Sequence, residues 1–146
     1  MMQNPLSILL VEDDLAHAEI TRRNLEEFDV ELFELVHVID GQAAIDYLVD
    51  AGSARPTAAL PQLILLDLRL PRVDGLEVLS HVKRDATLRH IPVVVLTTSA
   101  ADADVRDAYQ LGASGYLVKP VVYEQFQELT RAFGVFWLRF NRYADA

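Results

Sequence analysis

Between Pro61 and Pro71 the chain runs Leu63-Ile64-Leu65-Leu66 without a polar interruption and then places Asp67. Four consecutive aliphatic side chains cannot alternate between core and water. The run therefore suits a strand buried on both faces, as in a parallel sheet covered by helices on each side, although periodicity alone leaves a short buried helical segment open. A charge at the end of such a strand makes Asp67 the first candidate reactive group. The plain alternative is a loop aspartate that caps the next helix or sits in solvent.

The same pattern recurs along the chain. After a short lead over residues 1–6, expected to be disordered, Ser7 to Val11 forms an apolar run that ends at Glu12-Asp13-Asp14. Leu15, Ala18, Leu25 and Phe28 recur near helical spacing, with Asp14 placed to cap that helix and face its dipole. Leu32 to Val38 reads as a second strand and Gly41 to Val49 as a second helix, followed by a surface loop between Asp50 and Pro61. Beyond Pro71, Asp74 with Glu77 three residues on has the form of a capping box that opens a helix to about Arg84. Pro92 to Leu96 is the next strand, ending at Thr97-Thr98-Ser99. Asp102 to Leu111 is a helix stopped by Gly112, and Gly115 to Val118 is a strand closing on Lys119-Pro120. From Tyr123 to about Asn141 the chain makes its longest helix.

Five strands alternating with five helices imply an α/β fold, a doubly wound parallel sheet with helices on both faces. In such a sheet the residues just past the strand ends collect along one edge, where ligands bind. Asp13, Asp67, Thr97 and Lys119 each stand at or just beyond the end of a strand, which groups four residues that are far apart in sequence.

With 146 residues the chain is read as one domain. The net charge of -9 disfavours nucleic acid as a direct partner, because phosphate binding relies on clustered Lys and Arg. No cysteine is present, which excludes disulfides and thiolate sites. No signal peptide and no apolar run of spanning length appears, so the expectation is a cytoplasmic protein with no membrane partner. His17, His37, His81 and His90 show no metal spacing and are read as ordinary surface or interface residues. The glycines form no phosphate-cradling fingerprint.

Val11-Glu12-Asp13-Asp14, Leu66-Asp67, Leu70-Pro71, Asp74-Gly75, Leu96-Thr97 and Gly115-Tyr116-Leu117-Val118-Lys119-Pro120 together resemble the receiver domain of bacterial two-component response regulators. More narrowly, the loop before Pro61, the run Val93 to Ser99 and the ending Phe136-Trp137-Leu138 look like the stand-alone receivers that partner phytochrome-type histidine kinases. The resemblance implies a flavodoxin-like receiver fold with strand order 2-1-3-4-5, and a single receiver domain over 6–146 with an extended C-terminal helix and no output domain. It implies that Asp67 accepts a phosphoryl group from a histidine kinase, so that the protein is a signalling switch and not a turnover enzyme. Three crowded carboxylates call for a cation, and magnesium suits an oxygen-lined shallow site. Asp13 and Asp67 are then direct ligands, Glu12 a water-mediated one, and Arg69 contributes its backbone carbonyl. Lys119 and Thr97 would serve the transferring phosphoryl, with the Lys119-Pro120 bond cis as in the family. Thr97 and Tyr116 would form the conformational switch, while Arg69, Thr98 and Ser99 would shape water access and so phosphate lifetime.

Two rivals meet obstacles in the residues themselves. A flavin carrier of the same fold would have to place a phosphate beside Glu12-Asp13-Asp14. An aspartyl phosphatase would need a second Asp two positions after the nucleophile, where Arg69 stands. A degenerate receiver that only docks is disfavoured because Asp13, Asp67, Thr97 and Lys119 are all present. Finally, seven of the twelve aromatic residues lie from Tyr123 onward. Phe126, Leu129, Phe133 and Phe136 fit one buried helical face, which leaves Trp137, Phe140 and Tyr143 to extend past the sheet as the interface of a homodimer.

Overall fold

The computed structural model describes residues 5–28 and 32–144. Its strands are β1 (Leu6–Val11), β2 (Phe33–Val38), β3 (Leu63–Leu66), β4 (Val93–Thr97) and β5 (Gly115–Val118). The helices between and after them are α1 (Leu15–Glu26), α2 (Gly41–Ala51), α3 (Gly75–Arg84), α4 (Asp102–Gln110) and α5 (Tyr123–Gly134). All pairings are parallel, in the order β2-β1-β3-β4-β5. The expected disordered lead lies largely outside the described residues, and Leu6 is already paired with Phe33.

The apolar runs are continuous because the sheet separates two cores. Leu9, Val11, Ile64, Leu66, Val93 and Val95 pack with Ala44 and Leu48 of α2, Val78, Leu79 and Val82 of α3, and Ala108 of α4. Their alternate neighbours Ile8, Leu10, Leu63, Leu65, Val94 and Leu96 turn to the other face and meet Ala18 and Leu25 of α1 and Phe133 of α5. Successive side chains point to opposite faces of a strand, so a strand serving both cores has no polar position to offer. On the second face the buried Asn24 side-chain amide of α1 donates to the Thr130 hydroxyl of α5 at 2.6 Å, across 106 residues of sequence.

Local signals set several boundaries. Asp14 caps α1 by accepting from the His17 amide at 3.1 Å, and Asp40 caps α2 by accepting from the Ala43 amide at 2.7 Å. Asp74, by contrast, makes no side-chain cap bond, so the capping box read from Asp74 and Glu77 does not form. What opens α3 is Gly75, whose amide bonds the Leu68 carbonyl at 3.0 Å. A Cβ there would collide with the backbone of Asp67 and Leu68, so only glycine lets the helix start this close beneath the end of β3.

The C-terminal helix departs from expectation. Regular α-helix ends at Gly134, and Val135–Phe140 forms a π-helical turn closed by the Asn141 amide on the Phe136 carbonyl at 2.7 Å. Wider winding shifts the phase of the side chains. Trp137 and Tyr143 therefore fold back against the second core, with their rings 6.5 Å apart and the Tyr143 hydroxyl donating to the Trp137 carbonyl at 2.8 Å. Phe136, expected inside, is 53% exposed, and Phe140 is 70% exposed. Of the three aromatics read as projecting, only Phe140 does so.

Candidate functional site

The ends of β1, β3, β4 and β5 converge as parallel strands must. The Asp67 amide donates to the Val11 carbonyl at 3.0 Å, the Glu12 amide to the Val38 carbonyl at 3.1 Å, and the Lys119 amide to the Thr97 carbonyl at 2.7 Å. These bonds carry the ladders one residue past the strands. They hold the functional side chains on backbone as rigid as the sheet itself.

Around that edge Glu12, Asp67, Thr97 and Lys119 are buried while Asp13 is exposed. The Lys119 ammonium donates to Glu12 Oε1 and, at 3.1 Å, to Asp67 Oδ2. Asp67 Oδ1 accepts from the Arg69 amide at 3.2 Å, and Glu12 Oε2 from the Asp14 amide at 3.2 Å. Glu12, Asp13 and Asp67 each offer a carboxylate oxygen, all within 4.8 Å of one another. Three hard oxygen donors, one of them open to solvent, fit a divalent cation such as Mg2+ or Mn2+.

Two carboxylates cannot share this space as equals. Burial pushes Glu12 up to about 8, helped by its hydrogen bond with Asp67 and opposed by Lys119. Burial would raise Asp67 as well, but the bond with Glu12, the Lys119 charge, the Thr97 hydroxyl and the Arg69 amide outweigh it and hold Asp67 below the usual carboxylate range. Asp67 is thus the carboxylate kept ionised, and Glu12 the one that holds a proton most readily.

The remaining expected residues are placed as follows. Tyr116 is partly buried, and its hydroxyl donates to the Ser99 carbonyl at 2.8 Å. The Arg69 guanidinium reaches Asp104 of α4 at 2.6 Å, and the Ser99 hydroxyl meets the same carboxylate at 2.5 Å. No peptide bond among the described residues is cis, so Lys119-Pro120 is trans, a correction to the expected cis bond. The trans bond delivers the lysine to both carboxylates all the same, because Lys119 is anchored by its own amide to β4.

Two of the histidines read as ordinary surface or interface residues stand beside the site. His17 Nδ1 lies 3.0 Å from the Lys119 ammonium, and His37 Nε2 lies 2.7 Å from the Glu12 carbonyl. Neither is an ordinary surface residue. His17 follows Asp13 by four positions on the first turn of α1, and that spacing was the available signal. Asp104 was also missed, for want of any local pattern that ties it to Arg69.

Comparison with known proteins agrees with this geometry. A family model described as response regulator receiver domain matches residues 8–131. The "Probable methanogenesis regulatory protein FilR2" of Methanothrix harundinacea is 45% identical over 141 residues, spanning 96% of this chain and 88% of that protein. Response regulator Rcp1 of Synechocystis is 39% identical over 134 residues, spanning 92% and 90%. The crystal structure of its Mn2+-bound form superposes with a TM-score of 0.90 at 35% identity, covering 97% of this chain and all of that one. The phosphorylated cyanobacterial phytochrome response regulator RcpA gives 0.89 at 36% identity, with 97% and 99% covered.

Proposed function

The chain belongs to the response regulator receiver family, whose members are signalling proteins and not turnover enzymes, and on that footing we propose that it is a switch phosphorylated on Asp67 by a phytochrome-type histidine kinase. The observation that carries this reading is a buried Asp67 carboxylate with the Lys119 ammonium 3.1 Å away and two further carboxylates beside it. An ionised oxygen needs no base. It attacks the phosphorus of a phosphohistidine, the new O–P bond forms as the N–P bond breaks, and the electron pair leaves with the imidazole. Lys119 then turns its ammonium to one phosphoryl oxygen and Thr97 its hydroxyl to another, since the loose transition state spreads charge over all three.

Asp13 and Asp67, with Glu12 and the Arg69 carbonyl, are the residues that would hold a divalent cation, which when bound supplies charge neutralisation at the phosphoryl oxygens. As Thr97 moves toward the phosphoryl it leaves room for Tyr116, whose hydroxyl would exchange the Ser99 carbonyl for an inward position. Thr97 and Tyr116 are therefore read as the switch.

Phytochrome partnership is supported by the RcpA likeness, and cytoplasmic residence follows from a phytochrome-type kinase as donor. No helix among the described residues is long and apolar enough to cross a membrane. Residues 6–146 are read as one receiver domain, as the match to 97% of this chain and all of the Rcp1 chain supports. A homodimer through the C-terminal segment belongs to the same reading, with exposed Phe140 and Phe136 in contact and Trp137 and Tyr143 buttressing them from within.

The test is phosphorylation by a small phosphodonor with Mg2+, followed by mass spectrometry. The wild type takes up one phosphoryl group and Asp67→Asn takes up none, because an amide is not a competent nucleophile. Stoichiometric labelling of Asp67→Asn would refute the assignment.

A further inference from the structure

An ammonium has three N–H groups, and the site surrounds that of Lys119 with three acceptors. Glu12 Oε1 and Asp67 Oδ2 are two of them, and His17 Nδ1 at 3.0 Å is the third. The first two already have parts in phosphoryl transfer. His17 comes from α1 and has none in the account above.

The chemistry of the contact fixes its direction. An ammonium can only donate, so Nδ1 must be the unprotonated nitrogen of a neutral imidazole whose proton sits on Nε2. The ring lies against Phe126 of α5, 5.7 Å between centroids, and Asp14 Oδ2 is 3.6 Å from the same Nδ1, beyond hydrogen-bond distance. The Lys119 side chain is 1% exposed, so water offers its ammonium little in place of a lost acceptor.

We propose that His17 is a positioning residue for Lys119, the acceptor that holds the ammonium between the two carboxylates and the mouth of the site so that it meets the incoming phosphoryl oxygen. This rests on the reading of Asp67 as the phosphoryl acceptor. Without His17, one N–H of a buried cation has no partner. The ammonium then settles onto Glu12 and Asp67, and must be pulled off them before it can serve the transfer.

The experiment uses the full chain with acetyl phosphate and Mg2+, in which the Asp67 O–P bond forms as the acetyl O–P bond breaks and acetate leaves. His17→Leu keeps bulk and removes the acceptor, whereas His17→Gln keeps an acceptor oxygen. The expected result is that His17→Leu is labelled roughly tenfold more slowly, the loss of one hydrogen bond of ordinary net strength, while His17→Gln recovers most of the wild-type rate. A wild-type rate in His17→Leu would overturn the proposal, and so would equal slowing in both variants, since the acceptor would not then be the cause. Nitrogen NMR of the wild type gives a reading independent of variant folding: an unprotonated Nδ1 at neutral pH supports the contact, and a protonated one overturns it. If the wild type takes no phosphoryl group at all, the assignment of Asp67 fails, and the NMR result still decides on His17.

Discussion

The carboxyl edge of the sheet and the C-terminal turn are opposites in how they treat solvent. At the edge, Glu12, Asp67 and Lys119 are ionisable groups withdrawn from water; at the turn, Phe136 and Phe140 are aromatic groups left in it. Ordinary folding would reverse both, because burial penalises charge and favours hydrophobic surface. On the proposed reading each region is completed by something added, a cation and a phosphoryl group in one case and a second protein surface in the other. The difference lies in what holds the incomplete state. The edge is fixed by backbone bonds to neighbouring strands at Glu12, Asp67 and Lys119, whereas the turn is held by Trp137 and Tyr143 packing beneath it.

The contrast breaks most sharply at Lys119. Lys119→Met removes the only cation paired with Glu12 and Asp67 among the described residues, and stranding a buried charge costs about 3–5 kcal/mol. Urea denaturation without divalent metal should show that loss at alkaline pH, where Glu12 cannot shed its charge, and a smaller one near pH 6. Next is Trp137→Ala, which strips the support from the turn and should lower stability by about 2 kcal/mol, a half-buried share of the usual aromatic truncation.

A pH titration of the metal-free protein sharpens the other side. Glu12 has its folded value raised to about 8, so its contribution to stability is fully present below its unfolded value of 4.5 and is lost as pH rises through 8. One proton is released on unfolding across that window, which gives a downward slope of up to about 1.4 kcal/mol per pH unit. Asp67 has the opposite sign: its contribution is present above 3.8 and lost as pH falls through its lowered folded value. A flat stability profile between pH 5 and 8 would contradict the unequal sharing of the proton. The smallest effect belongs to Phe136→Ser with Phe140→Ser, which should change monomer stability by no more than about 0.5 kcal/mol per site. Sedimentation should show the double variant as a monomer at concentrations where the wild type pairs.

These regions also differ in how far the sequence disclosed them. Asp13, Asp67, Thr97 and Lys119 could be grouped because a parallel sheet sends every strand end to one edge, a constraint that acts over the whole chain. His17 could not, since its contact with Lys119 spans 102 residues and depends on the pitch at which α1 leaves Asp14. Phe136 and Trp137 were exchanged for a different reason. Assigning faces to α5 assumed 3.6 residues per turn throughout, and the π-helical turn after Gly134 moves the inward position from three residues past Phe133 to four, where Trp137 lies 6.4 Å from its ring. The Asp74 cap failed because backbone approach at Gly75, invisible in a local pattern, governs that helix start.

The bond between Asn24 and Thr130 has a consequence during synthesis. Asn24 lies in α1, the earliest helix of this domain to be made, and its buried amide finds its partner only when α5 follows, 106 residues later. At 5–20 residues per second that interval is roughly 5–20 s. Through it the apolar stripe of α1, Ala18 and Leu25 among it, lacks the Phe133 side of its pocket, so this half of the molecule closes only after the other half can already have packed. Chaperone capture of nascent chains should accordingly be strongest for those halted before Tyr123 and should fall once α5 has emerged.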